Sequence, residues 1–108
     1  MGFKEYQQLA VRTLLLEPGN IETLYYLTLG LTNEAGEVAG VVKKYIRGDY
    51  PQDEVIDRLK GELGDVLWYL AVMAEVLGIS LSDIAAHNIA KLQSRQERGV
   101  LRGDGDNR

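Results

Sequence analysis

The chain has 108 residues, 45% apolar and 26% charged, with a formal net charge of −4, two prolines and no cysteine. That length makes a single domain, 1–108, and the missing cysteines exclude disulfide stapling, thiol catalysis and thiolate metal ligation. An acidic balance argues against a nucleic-acid duplex as partner, because affinity for phosphate backbones comes mainly from basic surface. No apolar run approaches the length of a membrane span and no signal peptide is readable, so a cytoplasmic protein without membrane contact is expected.

Apolar residues recur with helical spacing from end to end, and no stretch alternates as a strand would. The first segment, about residues 3–16, carries Phe3, Tyr6, Leu9, Ala10 and Leu14. After the turn residues Glu17-Pro18-Gly19, Asn20 is a plausible N-cap for a helix reaching about Arg47, striped by Leu24, Leu27, Leu31, Ala35, Val38, Val42 and Tyr45. A third helix is expected from Asp53 to Gly78, with Val55, Leu59, Leu63, Val66, Leu70, Met73 and Leu77 as its stripe. Gly78 suits a helix C-terminus, and Ser80 with Asp83 reads as a capping box opening a fourth helix that ends near Arg98. Residues 99–108 read as an extended tail.

The fold class is therefore all-α. The second and third helices, each about 39 Å long, must double back as an antiparallel hairpin around Gly48-Asp49-Tyr50. A hairpin alone cannot bury both apolar stripes. Short N- and C-terminal helices completing a four-helix-bundle type of fold, together with a second subunit, are expected to cover them.

Two carboxylate pairs stand out, Glu34 with Glu37 and Glu62 with Asp65. Residues at i and i+3 are neighbours on a helix surface. Glu37 and Glu62 add to 99, as do Glu34 and Asp65, so both pairs are symmetric about the hairpin turn. Folding the hairpin there sets the four acids in a rough square. Glu34 and Glu62 also lie on or beside the apolar lines of their helices, where an uncompensated charge is costly. Clustered carboxylates favour a hard divalent cation such as Mg²⁺, which takes carboxylates, waters and substrate phosphates. Gly36, Gly40, Gly61 and Gly64 flank the acids and are expected to let the two backbones approach. The plainer alternative is a solvated acidic surface, since Glu54 and Asp57 show the same spacing with no evident role.

Glu34-x-x-Glu37 followed by Glu62-x-x-Asp65 resembles the motif of the all-α nucleoside triphosphate pyrophosphohydrolases, the MazG-like superfamily. Leu63-Gly64-Asp65-Val66-Leu67-Trp68-Tyr69-Leu70 and the run Asn88-Ile89-Ala90-Lys91-Leu92-Gln93-Ser94-Arg95 fit it too. The resemblance spans about residues 24–99 and is specific to the superfamily, not to a substrate. It implies Mg²⁺-dependent hydrolysis, with Mn²⁺ as a substitute ion, of a nucleoside triphosphate between its α and β phosphates. It also implies a homo-oligomer, a dimer or dimer of dimers, with Glu34, Glu37, Glu62 and Asp65 as metal ligands. Glu37 is assigned as the base for the attacking water. Clearing non-standard or surplus nucleotides is a role in keeping with that activity.

A triphosphate also needs cations. Asn88, Lys91 and Arg95 share one helical stripe and are assigned to phosphate binding, where the family has Asn and Lys at matching positions; Lys44, one turn after Gly40, is a further candidate. Trp68, one turn after Asp65, is a candidate for stacking a base, although a core role is the commoner one for such a residue. His87, the only histidine, reads as a surface or packing residue. A phosphoribosyl-ATP pyrophosphohydrolase and a non-catalytic helical interaction module are the competing readings.

Overall fold

A computed structural model describes all residues, 1–108. It contains four helices and no strand: α1 (Phe3–Val11), α2 (Ile21–Arg47), α3 (Gln52–Val76) and α4 (Leu81–Glu97). No single helix is long and apolar enough to cross a membrane. The starts and stops follow local chemistry. Asn20 Oδ1 accepts the Glu22 amide at 3.0 Å, and Ser80 Oγ accepts the Asp83 amide at 3.3 Å, each satisfying an N–H that the helix leaves free. Gly48 (φ 91°) and Gly78 (φ 72°) adopt the left-handed conformation that closes α2 and α3.

α1 stops at Val11, short of the expected residue 16. The Thr13 and Leu14 amides bond to the carbonyls of Ala10 and Val11, tightening the chain into a turn, while the Thr13 hydroxyl donates to the Ala10 carbonyl at 2.8 Å. Leu14 keeps its helical spacing in the sequence because it still reaches the core, from the turn rather than from a helix.

α2 and α3 pack as the antiparallel hairpin. Its turn is closed by the Tyr50 hydroxyl donating to the Val41 carbonyl, by an Arg47–Asp49 ion pair, and by the Arg58 guanidinium lying 4.4 Å over the Tyr50 ring. Near the other end Gly30 meets Tyr69. A β-carbon at Gly30 would fall 2.1 Å from Tyr69 Cε1, so only glycine lets the helices pass here. The expectation for the glycines beside the acids is corrected: Gly36, Gly40, Gly61 and Gly64 have nothing within 4 Å of a built β-carbon. They line open surface, and the close approach is made one helical turn before Glu34.

The core sits at that far end, where Leu27, Ala71 and Val72 are sealed by Ala10 of α1 and Leu81 of α4. Gln7 braces the junction. Its Nε2 donates to the Ile79 carbonyl at 3.0 Å and its Oε1 accepts the Leu81 amide at 2.8 Å, so one buried side chain satisfies both backbone groups at the α3–α4 bend. The chain turns by 105° there, and α4 packs on α1 and α3 without touching α2. One chain therefore does not close a bundle. Only 11 of 108 residues are buried, and Tyr25, Leu29, Ile46, Ile56 and Leu63 are bare on the hairpin.

Residues 99–108 are not extended. They wind into a loop through Gly99, Gly103 and Gly105, all at positive φ. The Arg108 guanidinium holds it, donating to the carbonyls of Val100, Leu101 and Gly105 at 3.0, 2.9 and 2.7 Å.

Candidate metal centre

The hairpin register places Glu34 of α2 against Glu62 and Asp65 of α3. One carboxylate oxygen from each lies within 4.8 Å of the other two. Glu34 and Glu62 are half-buried, whereas Asp65 is exposed at the mouth. No lysine or arginine forms an ion pair with any of the three. Burial, then the charges of Asp65, Glu62 and Glu37, push the Glu34 carboxyl above the usual carboxylate range. Burial and the Asp65 charge also raise the Tyr6 phenol. Burial, neighbouring Tyr26 and then Glu34 and Asp65 raise that of Tyr69. The cluster is thus a crowded set of oxygen donors, short of positive charge, whose field reaches the phenols of Tyr6 and Tyr69. Such a set suits a hard divalent cation, which would supply the missing charge.

Glu37 stands outside this trio. It is exposed on α2, one turn from Glu34 and near enough to raise its carboxyl. Lys44 lies at the turn end of the hairpin, where its charge acts on Asp49. Asn88 and His87 are exposed on α4. Lys91 and Arg95 are both engaged by Asp106 of the C-terminal loop. Trp68 packs against the core, with its ring edge-on to Tyr69 at 4.9 Å and its indole N–H donated to Thr13 Oγ1 at 2.7 Å. Its remaining edge lines an apolar depression of about 300 Å³ shared with Leu14, Leu16 and Tyr26.

The model of the MazG nucleotide pyrophosphohydrolase domain matches residues 22–100. The chain belongs to the MazG nucleotide pyrophosphohydrolase family. The matched span of this MazG domain includes all four acids and the α4 stripe, and leaves out α1 and the loop beyond residue 100. The "Gene 37 protein" of Mycobacterium phage L5 is 46% identical over 111 aligned positions, covering 94% of this chain and 95% of that protein. The "Uncharacterized protein YvdC" of Bacillus subtilis (strain 168) is 36% identical over 74 positions, covering 62% of this chain and 70% of that protein. No solved structure matches the chain significantly.

Three residues around the centre of this MazG domain, Tyr6, Gly30 and Tyr69, have no site role in the sequence reading. Tyr6 reads as an apolar-stripe aromatic and Tyr69 as part of the family-like run, and nothing local to Gly30 distinguishes it from other helix glycines. Gly30 and Tyr69 do carry a signal, for their positions also add to 99 and mark the same register as the acids.

Proposed function

We propose that the protein is a divalent-metal-dependent nucleoside triphosphate pyrophosphohydrolase that cleaves between the α and β phosphates. The observation that carries this reading is the convergence of Glu34, Glu62 and Asp65 without a basic partner, on a chain of pyrophosphohydrolase family. Those three residues would hold the ion, Mg²⁺ or Mn²⁺. When bound, it neutralises phosphate charge and lowers the pKa of water. Glu37, beside the trio and open to solvent, orients the attacking water and accepts its proton. The water attacks phosphorus in line, and pyrophosphate leaves with the P–O bonding pair.

The base is placed in the depression lined by Trp68 and Tyr26. Tyr26 lies eight residues, about 12 Å, before Glu34 on α2, a span suited to a nucleoside triphosphate. Asn88, Lys91 and Arg95 lie on α4, which does not contact α2 of its own chain. They reach phosphates in a homo-oligomer, a dimer or dimer of dimers, in which α4 of one copy meets the hairpin of another; Lys44 stands at the hairpin's turn end as an additional cation. The bare apolar residues of the hairpin supply the area for that contact. Removal of surplus or damaged triphosphates is the role this chemistry suits.

Pyrophosphate release with Mg²⁺ and a panel of standard and damaged triphosphates, with phosphoribosyl-ATP included, tests the proposal. Glu37→Gln and Asp65→Asn are each expected to abolish turnover while circular dichroism shows full helicity. Wild-type turnover in both variants would refute the assignment.

A further inference from the structure

Arg95 is 6% exposed, and its Nε has no hydrogen-bond partner. A buried guanidinium needs a counter-charge, and the one it has is Asp106, whose side chain is 75% exposed. The same carboxylate takes Lys91 Nζ at 2.8 Å and Arg95 Nη2 at 3.3 Å, and the Asp106 carbonyl accepts a further bond from Arg95 Nη2. Two cations are thus balanced by one monoanion. One positive charge and one buried donor are left over. Nothing else in the chain forms an ion pair with Lys91 or Arg95.

The loop that delivers Asp106 makes no other side-chain ion pair with the helices. Gly103 and Gly105 lie just before Asp106 at positive φ, and apart from the Asp106 contacts, Arg98 and Arg108 tether the loop through backbone carbonyls. A phosphate group carries the second negative charge that a carboxylate lacks, and more acceptor oxygens. We propose that Asp106 occupies the Lys91–Arg95 pair in the resting protein in the place of the phosphate assigned to it above, and that an incoming di- or polyphosphate displaces the carboxylate and frees the loop. The anion's identity as a polyphosphate rests on the function proposed above; the displaceable contact rests on the geometry alone. The loop then acts as a built-in competitor. It lowers the apparent affinity for polyphosphate by the fraction of time the site is closed.

The test uses the whole 108-residue chain in EDTA, so that no turnover occurs. Hydrogen exchange across residues 101–107 is followed with inorganic pyrophosphate and, in a second arm, with ATP. Release of the loop gives exchange at least about tenfold faster at saturation, and the effective arm tells free pyrophosphate from nucleotide. Calorimetry on Asp106→Asn should show pyrophosphate binding tightened about tenfold over wild type. Exchange that is unchanged or slowed in both arms, or an Asp106→Asn protein binding no more tightly, overturns the proposal. Both readouts are independent of hydrolysis. A protein that releases its loop but fails to cleave any triphosphate would overturn the proposed activity and leave the displaceable loop standing.

Discussion

Gly30 lies directly beneath the ring of Tyr69, with no room for a single added carbon between them. This contact sets the spacing of α2 and α3 one helical turn from the carboxylates, and so sets how closely Glu34 faces Asp65. Gly30→Ala should destabilise the fold by about 1–3 kcal/mol, the usual result of forcing a carbon into a filled interior. Urea denaturation measures it. Because the clash is with one ring, Tyr69→Ala in the same chain should recover part of the loss, a coupling that a double-mutant cycle isolates.

The carboxylate trio predicts stabilisation by metal. A divalent ion at a hundredfold excess over its Kd should add about 2.7 kcal/mol to the folded state, read as a rise in Tm. Glu34→Gln should lose most of that rise. In metal-free buffer it should be at least as stable as wild type at neutral pH, since the variant removes a carboxylate crowded by Asp65, Glu62 and Glu37.

The Gln7 brace predicts a localised weakness. Gln7→Leu leaves the Ile79 carbonyl and the Leu81 amide without partners, at a cost of about 1–3 kcal/mol. The loss should appear first as faster hydrogen exchange in α4, with the hairpin amides protected.

Acid should loosen the loop. Lys91 and then Arg95 hold the Asp106 carboxyl below the usual aspartate range. A depressed carboxylate adds stability that is full above its ordinary pKa and disappears as pH falls through its folded value. The difference in loop protection between wild type and Asp106→Asn should therefore be steady at neutral pH and vanish below the ordinary aspartate range. Proteolysis with an acid-active protease follows it.

The bare hairpin predicts self-association. Light scattering at micromolar concentration should give at least twice the chain mass of 12.0 kDa, and Leu29→Glu, placed at a 72% exposed leucine, should drive the mass toward one chain.

The hairpin and its acids were legible because helical geometry is local. Spacing of three places two carboxylates on one face, and a turn at Gly48 maps one helix onto the other residue by residue. The direction of α4 was not legible, because it depends on Gln7, a polar residue in an apolar stripe that periodicity reads as noise. The same limit applied to the glycines. Composition tells that a backbone can approach at Gly36 or Gly64, but the partner side chain decides where it does, and that proved to be Tyr69 on Gly30. The Asp106 contact joins residues eleven and fifteen apart through a glycine-rich loop, so its segment resembled a free tail.

The 105° departure of α4 separates the hairpin acids from Lys91 and Arg95, which lie on a helix that does not contact α2. The proposed sharing of one centre between neighbouring copies then has a direct consequence, that it could be rebuilt from two different cripples. Mixing Glu34→Gln chains with Lys91→Ala chains, each inert alone, should restore a share of turnover through pairs that borrow the intact half from each parent.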